Sequence, residues 1–333
     1  MAGLLSSVRA QPTAVEILRR ALISARVHHA YLFDGPDGVG KERLAFALAQ
    51  ALVCERRAPG TADACGECRA CLRAVLRSGE RTPLHPDVVV LERGLYDPSA
   101  IGRRSPEVQD ISIDQVRTLV LVHAAFPPHE GLAKVYIVRR TEELSLAAAN
   151  ALLKTLEEPG SRTHFILLSS APQALLPTIR SRVQRVRFGA LPDLVIADLL
   201  AERGIERSRA DAIAPLAGGS MSAALLLGDK EASEQRQQFV TRAMAAIEAP
   251  NLGPAMDVAE EAKRVSKETI LATIQALAAA LAALGRSAAG TSDRRAEAAA
   301  AQYSVALAAV RQIQANSAVQ LALEAMFIKM RLV

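Results

Sequence analysis

The segment Gly35-Pro36-Asp37-Gly38-Val39-Gly40-Lys41 constrains this chain more than any other. It fits the pattern G-x-x-x-x-G-K. A short apolar run, Ala30–Phe33, precedes it, and an alanine- and leucine-rich stretch, Arg43–Val53, follows. A strand, a glycine loop and a helix in that order make a phosphate-binding loop credible. The glycines let backbone N–H groups converge on phosphate oxygens, and the helix N-terminus adds a positive dipole. Lys41, one of only seven lysines among 40 basic residues, supplies a point charge. Gly35, Gly38, Gly40 and Lys41 are therefore the candidate nucleotide-binding residues. The residue after the lysine is Glu42, where Ser or Thr normally holds Mg²⁺. Its carboxylate also brings negative charge toward a triphosphate. A glycine-rich turn that keeps its shape without a ligand is the plainer alternative, so ATP binding stays open at this point.

The remaining chain supports an α/β fold followed by helices. Asp87–Leu91, Lys134–Val138 and Thr163–Leu168 are β-branched or apolar runs that predict buried strands, and Leu144–Glu158 has helical periodicity ending at Pro159-Gly160. Strands separated by helices imply a parallel sheet with helices on both faces. Residues 93–107 predict an exposed loop. We divide the chain into 1–188, an α/β phosphate-loop domain; 189–235, a small helical module; and 236–333, an all-helical segment. In the last, Ile270, Ile274, Leu277, Leu281 and Leu284 mark one helix face, residues 285–293 predict a loop, and Val319, Leu323, Met326 and Met330 mark a second stripe. Core packing is the simplest use of both stripes.

Half of the 333 residues are hydrophobic, which excludes wholesale disorder, and the 3% aromatic content with no Trp argues against a base-stacking platform. A net charge of +5 permits contact with phosphates without demanding it. The longest uninterrupted apolar run, Ala276–Leu284, is far short of the roughly 18–20 residues that span a bilayer. No targeting segment is evident, so a soluble cytoplasmic protein without membrane contact is expected.

Three further motifs carry chemistry. The strand Lys134–Val138 ends in Arg139-Arg140, where a P-loop ATPase needs carboxylates for Mg²⁺ and for the attacking water. Glu142 and Glu143 come too late, unless the strand is misplaced. Metal-holding groups are thus missing at two separate places. All four cysteines, Cys54, Cys65, Cys68 and Cys71, fall in one window spaced C-x₁₀-C-x₂-C-x₂-C, with no His among them. That suits a closed structural Zn²⁺ site. An iron–sulfur cluster and free or disulfide-bonded thiols are the rivals. Finally, Thr178-Ile-Arg-Ser-Arg182-Val183 is a short basic segment after a strand, for which a solvated arginine pair is the default. The six histidines show no ligand spacing, and no Ser/His/Asp arrangement can be assembled.

Together, the run from His29 to Lys41, the inserted cysteines, His85-Pro86-Asp87, Ile113–Arg117, Asn150–Pro159 and Thr178–Arg182 resemble the bacterial AAA+ clamp-loader subunits of DNA polymerase III along nearly the whole chain. The motor subunits of that family keep Thr or Ser after the loop lysine and an acidic pair on the second strand. Glu42, Arg139 and Arg140 depart from this and imply a non-hydrolysing member. The family's Ser-Arg-Cys element appears as Ser181-Arg182-Val183, so the resemblance gives Arg182 the role of an arginine finger in trans, reaching a neighbour's ATP. It further implies a lid over 189–235 and a collar over 236–333. It implies a hetero-pentamer with motor subunits and a delta subunit, a sliding clamp as target, and primed DNA held through backbone phosphates. The alternatives are a working ATPase motor of the same complex and a zinc-containing DNA-binding regulator.

Overall fold

A computed structural model describes residues 5–77, 79–105, 109–124, 126–130, 132–262, 265, 267–288, 293–314 and 317–333. They form two compact units: Met1–Ile196 with Gly218–Met221, and Ala197–Ala217 with Ser222–Val333.

The first unit is built in chain order from α1 (Pro12–Ile23), β1 (Ala30–Asp34), α2 (Lys41–Val53), α3 (Arg69–Ala74) and β2 (Val88–Leu91). A helix broken by one wide turn follows, with α4 (Ile113–Val116), a π-helical segment (Arg117–Leu121) and α5 (Val122–Ala124). Then come β3 (Lys134–Val138), α6 (Leu146–Glu157), β4 (Thr163–Ser169), α7 (Pro177–Arg180) and β5 (Gln184–Arg187). The five strands are all parallel, in the order β2-β3-β4-β1-β5. Parallel neighbours cannot be joined by hairpins, so every connection is a crossover and helices cover both faces.

Side-chain alternation sorts the core. Ala30 and Leu32 join Tyr136, Phe165, Leu152, Leu156 and Val120 on the α6 face. Tyr136 and Phe165 stack there with centroids 5.0 Å apart. Tyr31 and Phe33 point the other way, and α2, which is buried along nearly its whole length, packs on the sheet at β3 and β4. A helix buried all round must be apolar all round, which explains its run of Ala, Leu and Phe.

The expected strands at 87–91, 134–138 and 163–168 are present within a residue, and the helix expected over 144–158 is present within two. β5 has no counterpart in the sequence reading: three of its four residues are exposed and only Val186 is buried. It is an edge strand whose arginines keep other strands from pairing with it.

The second unit is helical. α8 (Asp193–Ala201) starts in the first unit. It is followed by α9 (Arg207–Ile213), α10 (Met221–Gly228), α11 (Lys230–Glu248), α12 (Gly253–Glu261), α13 (Lys267–Ala288), α14 (Asp293–Gln314) and α15 (Val319–Met330). Ile270, Ile274, Leu277 and Leu281 of α13 lie in its core with Leu323, Met326 and Met330 of α15. Leu284 departs from the expected stripe and is 40% exposed. The loop expected over 285–293 is corrected at its start, because α13 continues through Gly285 to Ala288, and at Asp293, which begins α14; residues 289–292 lie outside the described residues. Gly285 lies inside α13 facing the Ala299 methyl of α14 and does not end the helix. The window Thr269–Ala288, with mean hydropathy 1.5, is long and apolar enough to cross a bilayer. Ile270, Ile274, Leu277 and Leu281, all within that window, are buried in the helical core.

Candidate nucleotide loop, cysteine cluster and arginine groove

The glycine loop runs from the C-terminal end of β1 into α2, as its sequence requires. Two backbone features fix it. A Cβ on Gly35 would lie 2.5 Å from the Phe188 carbonyl oxygen, so only glycine lets the loop pass beside the end of β5. Gly40 caps α2 at φ +100°, which only glycine adopts without strain. Behind the loop the buried Gln11 side chain donates to the carbonyls of Val39 (3.3 Å) and Gly189 (2.8 Å) and accepts from Gly189 N–H (3.1 Å).

Lys41 is turned in on its own loop. Its ammonium donates to the Gly35 carbonyl and to the Pro36 carbonyl (2.7 Å), and Asp37 Oδ1 lies 3.5 Å away. An ammonium has three protons, so these partners fill it. The side chain is 8% exposed. Burial pulls the amine below its ordinary pKa, and the carboxylates of Asp37, Glu142 and Asp34 oppose that pull.

The two departures from the ATPase pattern touch each other. The Arg139 guanidinium, from the end of β3, pairs through Nη2 with Glu42 of α2 and through Nη1 with Glu92 Oε2 beyond β2 (2.7 Å). Arg81 closes the network on Glu92 at 3.3 Å. Arg139 is only 13% exposed while Glu42 is 45% exposed. The carboxylate thus stands on the helix side and the cation on the strand side, the reverse of a hydroxyl and carboxylate gripping Mg²⁺. What the sequence presents as two separate losses, 97 residues apart, is one ion-paired unit. Arg140 takes a left-handed conformation (φ +46°), with Glu143 3.6 Å from its guanidinium. Glu142 and Glu143 occupy a short 3₁₀ turn rather than starting α6. Glu142 accepts from Ser170 N–H (3.1 Å) and Ser170 Oγ (2.8 Å) at the end of β4.

The four cysteines converge. Their Sγ atoms all lie within 4.8 Å of one another, none is disulfide-bonded, and Cys65 and Cys71 Sγ are 3.8 Å apart. A tetrahedron with Zn–S near 2.3 Å requires S···S separations of about 3.8 Å. The backbone supports thiolate character: Cys65 N–H donates to Cys54 Sγ, Cys68 N–H to Cys65 Sγ and Cys71 N–H to Cys68 Sγ. The N–H groups of Glu67 and Cys68 draw the Cys65 thiol down to about 6, whereas burial raises Cys71. The cluster can hold a metal ion, with every ligand drawn from the protein.

α3, capped by the Cys68 side chain, ties this module to α2 and to the segment before β2. Gln50 of α2 donates to the Cys71 carbonyl at 3.0 Å. The Arg73 carbonyl accepts from Leu84 and His85 N–H, and its guanidinium reaches Glu130 and the Leu84 carbonyl. Two residues on, the buried Asp87 carboxylate accepts from His129 N–H (2.7 Å) and Glu130 N–H (2.8 Å).

Arg182 lies between α7 and β5, at the opposite end of the sheet from Lys41. Tyr31 pairs with Gln184, so Arg182 is level with the start of β1, whereas the loop leaves its end. Five strand residues put roughly 17 Å of sheet between them. Arg182 cannot serve its own loop. It lines an open groove of about 500 Å³ together with His28, His29, Glu157, Ser181 and Gln184. Glu157 Oε1 is 2.5 Å from Arg182 Nη2, a contact no local sequence signal announces. His28 and His29 stack beside it at 4.3 Å.

Comparison with known proteins gives the family. A family model described as "DNA polymerase III, delta subunit" matches residues 10–192. DNA polymerase III subunit delta' of Pseudomonas aeruginosa is 40% identical over 219 residues, covering 64% of this chain and 59% of its own. Subunit delta' of Bacillus subtilis is 30% identical over 230 residues, covering 69% and 63%. Subunit tau of Bacillus subtilis is 34% identical over 232 residues, covering 67% of this chain and 37% of its own. The match therefore spans about three fifths of the length of the two delta' relatives. A solved gamma subunit-related protein of DNA polymerase III from Thermotoga maritima aligns over 95% of this chain and 98% of its own, at TM-score 0.49 and 19% identity.

Proposed function

Because this chain belongs to the DNA polymerase III delta-subunit family, we propose that it is a non-hydrolysing clamp-loader subunit of the delta' type. It supports a hetero-pentamer of motor subunits and a delta subunit that opens a sliding clamp and closes it on primed DNA. Residues 189–235 act as the lid and 236–333 as the collar. DNA is met through backbone phosphates shared among subunits, without base readout.

One observation carries the reading: the Glu42–Arg139 pair. Mg²⁺ bound there would face a guanidinium instead of a carboxylate. Like charges repel, and the two carboxylates of the network, Glu42 and Glu92, are already paired with Arg139. Lys41, saturated by Gly35, Pro36 and Asp37, would first have to leave three partners to meet a phosphate. Any nucleotide in the loop is bound without Mg²⁺ and is not turned over. The chain's contribution to ATP hydrolysis is Arg182, offered to a neighbour's nucleotide from the far end of the sheet, where a guanidinium stabilises charge developing on the γ-phosphate.

Zinc is the metal proposed for Cys54, Cys65, Cys68 and Cys71. Four protein ligands leave no open position, so its role is structural.

Calorimetric titration of the isolated chain with Mg·ATP tests the sealed loop. We expect no micromolar affinity and no steady-state phosphate release. Micromolar binding with turnover would instead make this a motor subunit.

A further inference from the structure

We propose that Glu157 is the resting counter-ion of Arg182, competing with phosphate for the same edge of the guanidinium. This rests on reading Arg182 as a finger in trans. An arginine carries five N–H donors in a rigid fork. The two on Nη1 are used within the chain, on the Thr178 carbonyl (2.8 Å) and Ser181 Oγ (3.2 Å). Those partners are neutral and local to α7, so they set the direction of the guanidinium without neutralising it. Two parallel N–H bonds to a phosphate then have to come from the Nε–Nη2 edge. Glu157 Oε1, 2.5 Å from Nη2, already lies against the nitrogen that this edge must use. A carboxylate and a phosphate carry like charge and cannot share it.

The setting makes the exchange feasible. Glu157 is the last residue of α6, where the helix dipole is negative, so its carboxylate gains nothing from the helix itself. Arg182 and Glu157 are 34% and 46% exposed and border the open groove, which lets an anion approach. An ion pair this exposed is weak, so an incoming phosphate displaces it readily. Arg182 is thereby kept oriented and charge-compensated while no nucleotide faces it, and is handed over when one does.

The test is Glu157→Gln in the full chain, assembled with the family's ATP-hydrolysing subunits, at ATP below saturation. Glutamine keeps the shape and removes the charge. We expect turnover to rise about two- to fivefold, the equilibrium value of an exposed ion pair. The same substitution in an Arg182→Ala background should change nothing, because the competition needs both groups. A Glu157→Gln complex with unchanged or lower turnover, while Arg182→Ala still impairs it, would overturn this inference and leave the finger standing. An Arg182→Ala complex with full turnover would remove the finger itself. The thermal midpoint of Glu157→Gln, read in parallel, separates loss of fold from loss of competition: at half exposure it should move by no more than about 2 °C.

Discussion

Arg139 is the residue on which the phosphate-loop end of the sheet turns. Its guanidinium is mostly buried and compensated by Glu42 and Glu92 on two other elements. Removing a buried partner leaves the remaining charges uncompensated, whereas removing an exposed one costs little. Arg139→Ala should therefore lower unfolding free energy by about 1–3 kcal/mol, and Glu42→Ala by less than about 1 kcal/mol. Urea denaturation of both variants checks the asymmetry, and equal costs would contradict it. Sequence alone shows that Glu42 and Arg139 are the wrong types for Mg²⁺. It cannot show that they are partners, because contact at a separation of 97 residues leaves no periodicity behind. Glu157 was hidden for the same reason, being one charge in an ordinary-looking helix end.

At the scale of elements, legibility followed burial. β3 and β4 are buried on both sides and are written as apolar runs; β5 sits at an edge, reads Gln-Arg-Val-Arg, and is invisible to the same rule. Gly285 misled because glycine disfavours helix interiors by roughly 0.5–1 kcal/mol, yet here it faces Ala299 across a helix pair. The cysteine spacing, by contrast, was enough to bring four thiols together. α3 ties that cluster to Leu84, His85 and Glu130. Cys68→Ser should abolish binding of one zinc per chain by elemental analysis and lower the thermal midpoint by roughly 5 °C or more. Fresh reduced wild-type protein without metal would exclude the zinc assignment.

β4 also carries a pH dependence. His164 is half-buried, with Nδ1 3.2 Å from the His28 carbonyl and with His28 and His29 nearby, and desolvation is the main cause that holds its pKa below the ordinary value. The unfolded chain therefore takes up a proton at higher pH than the folded one. Stability from this group is complete above about pH 6.5 and declines as pH falls through it. His164→Gln should flatten the decline in urea midpoint between pH 7.5 and 5.5. An unchanged slope would assign the effect to other groups.

On the scale of the whole molecule, the proposed function divides between the two ends of one sheet. At the end that carries the phosphate loop, Glu42 is paired with Arg139 and Lys41 is held by Gly35, Pro36 and Asp37. At the other end, Arg182 faces an open groove that its own loop cannot reach. With a net charge of only +5, the isolated chain should bind DNA weakly and with a shallow salt dependence. Tight, steeply salt-sensitive binding in a filter or anisotropy assay would favour a stand-alone DNA-binding regulator. The most direct measurement is ATP turnover by the chain alone, by its complex with motor subunits, and by the same complex carrying Arg182→Ala. We expect none from the chain, robust turnover from the complex, and a loss of about tenfold or more at the site facing Arg182. Turnover by the chain alone, or a complex indifferent to Arg182, would contradict the division of labour between the two ends.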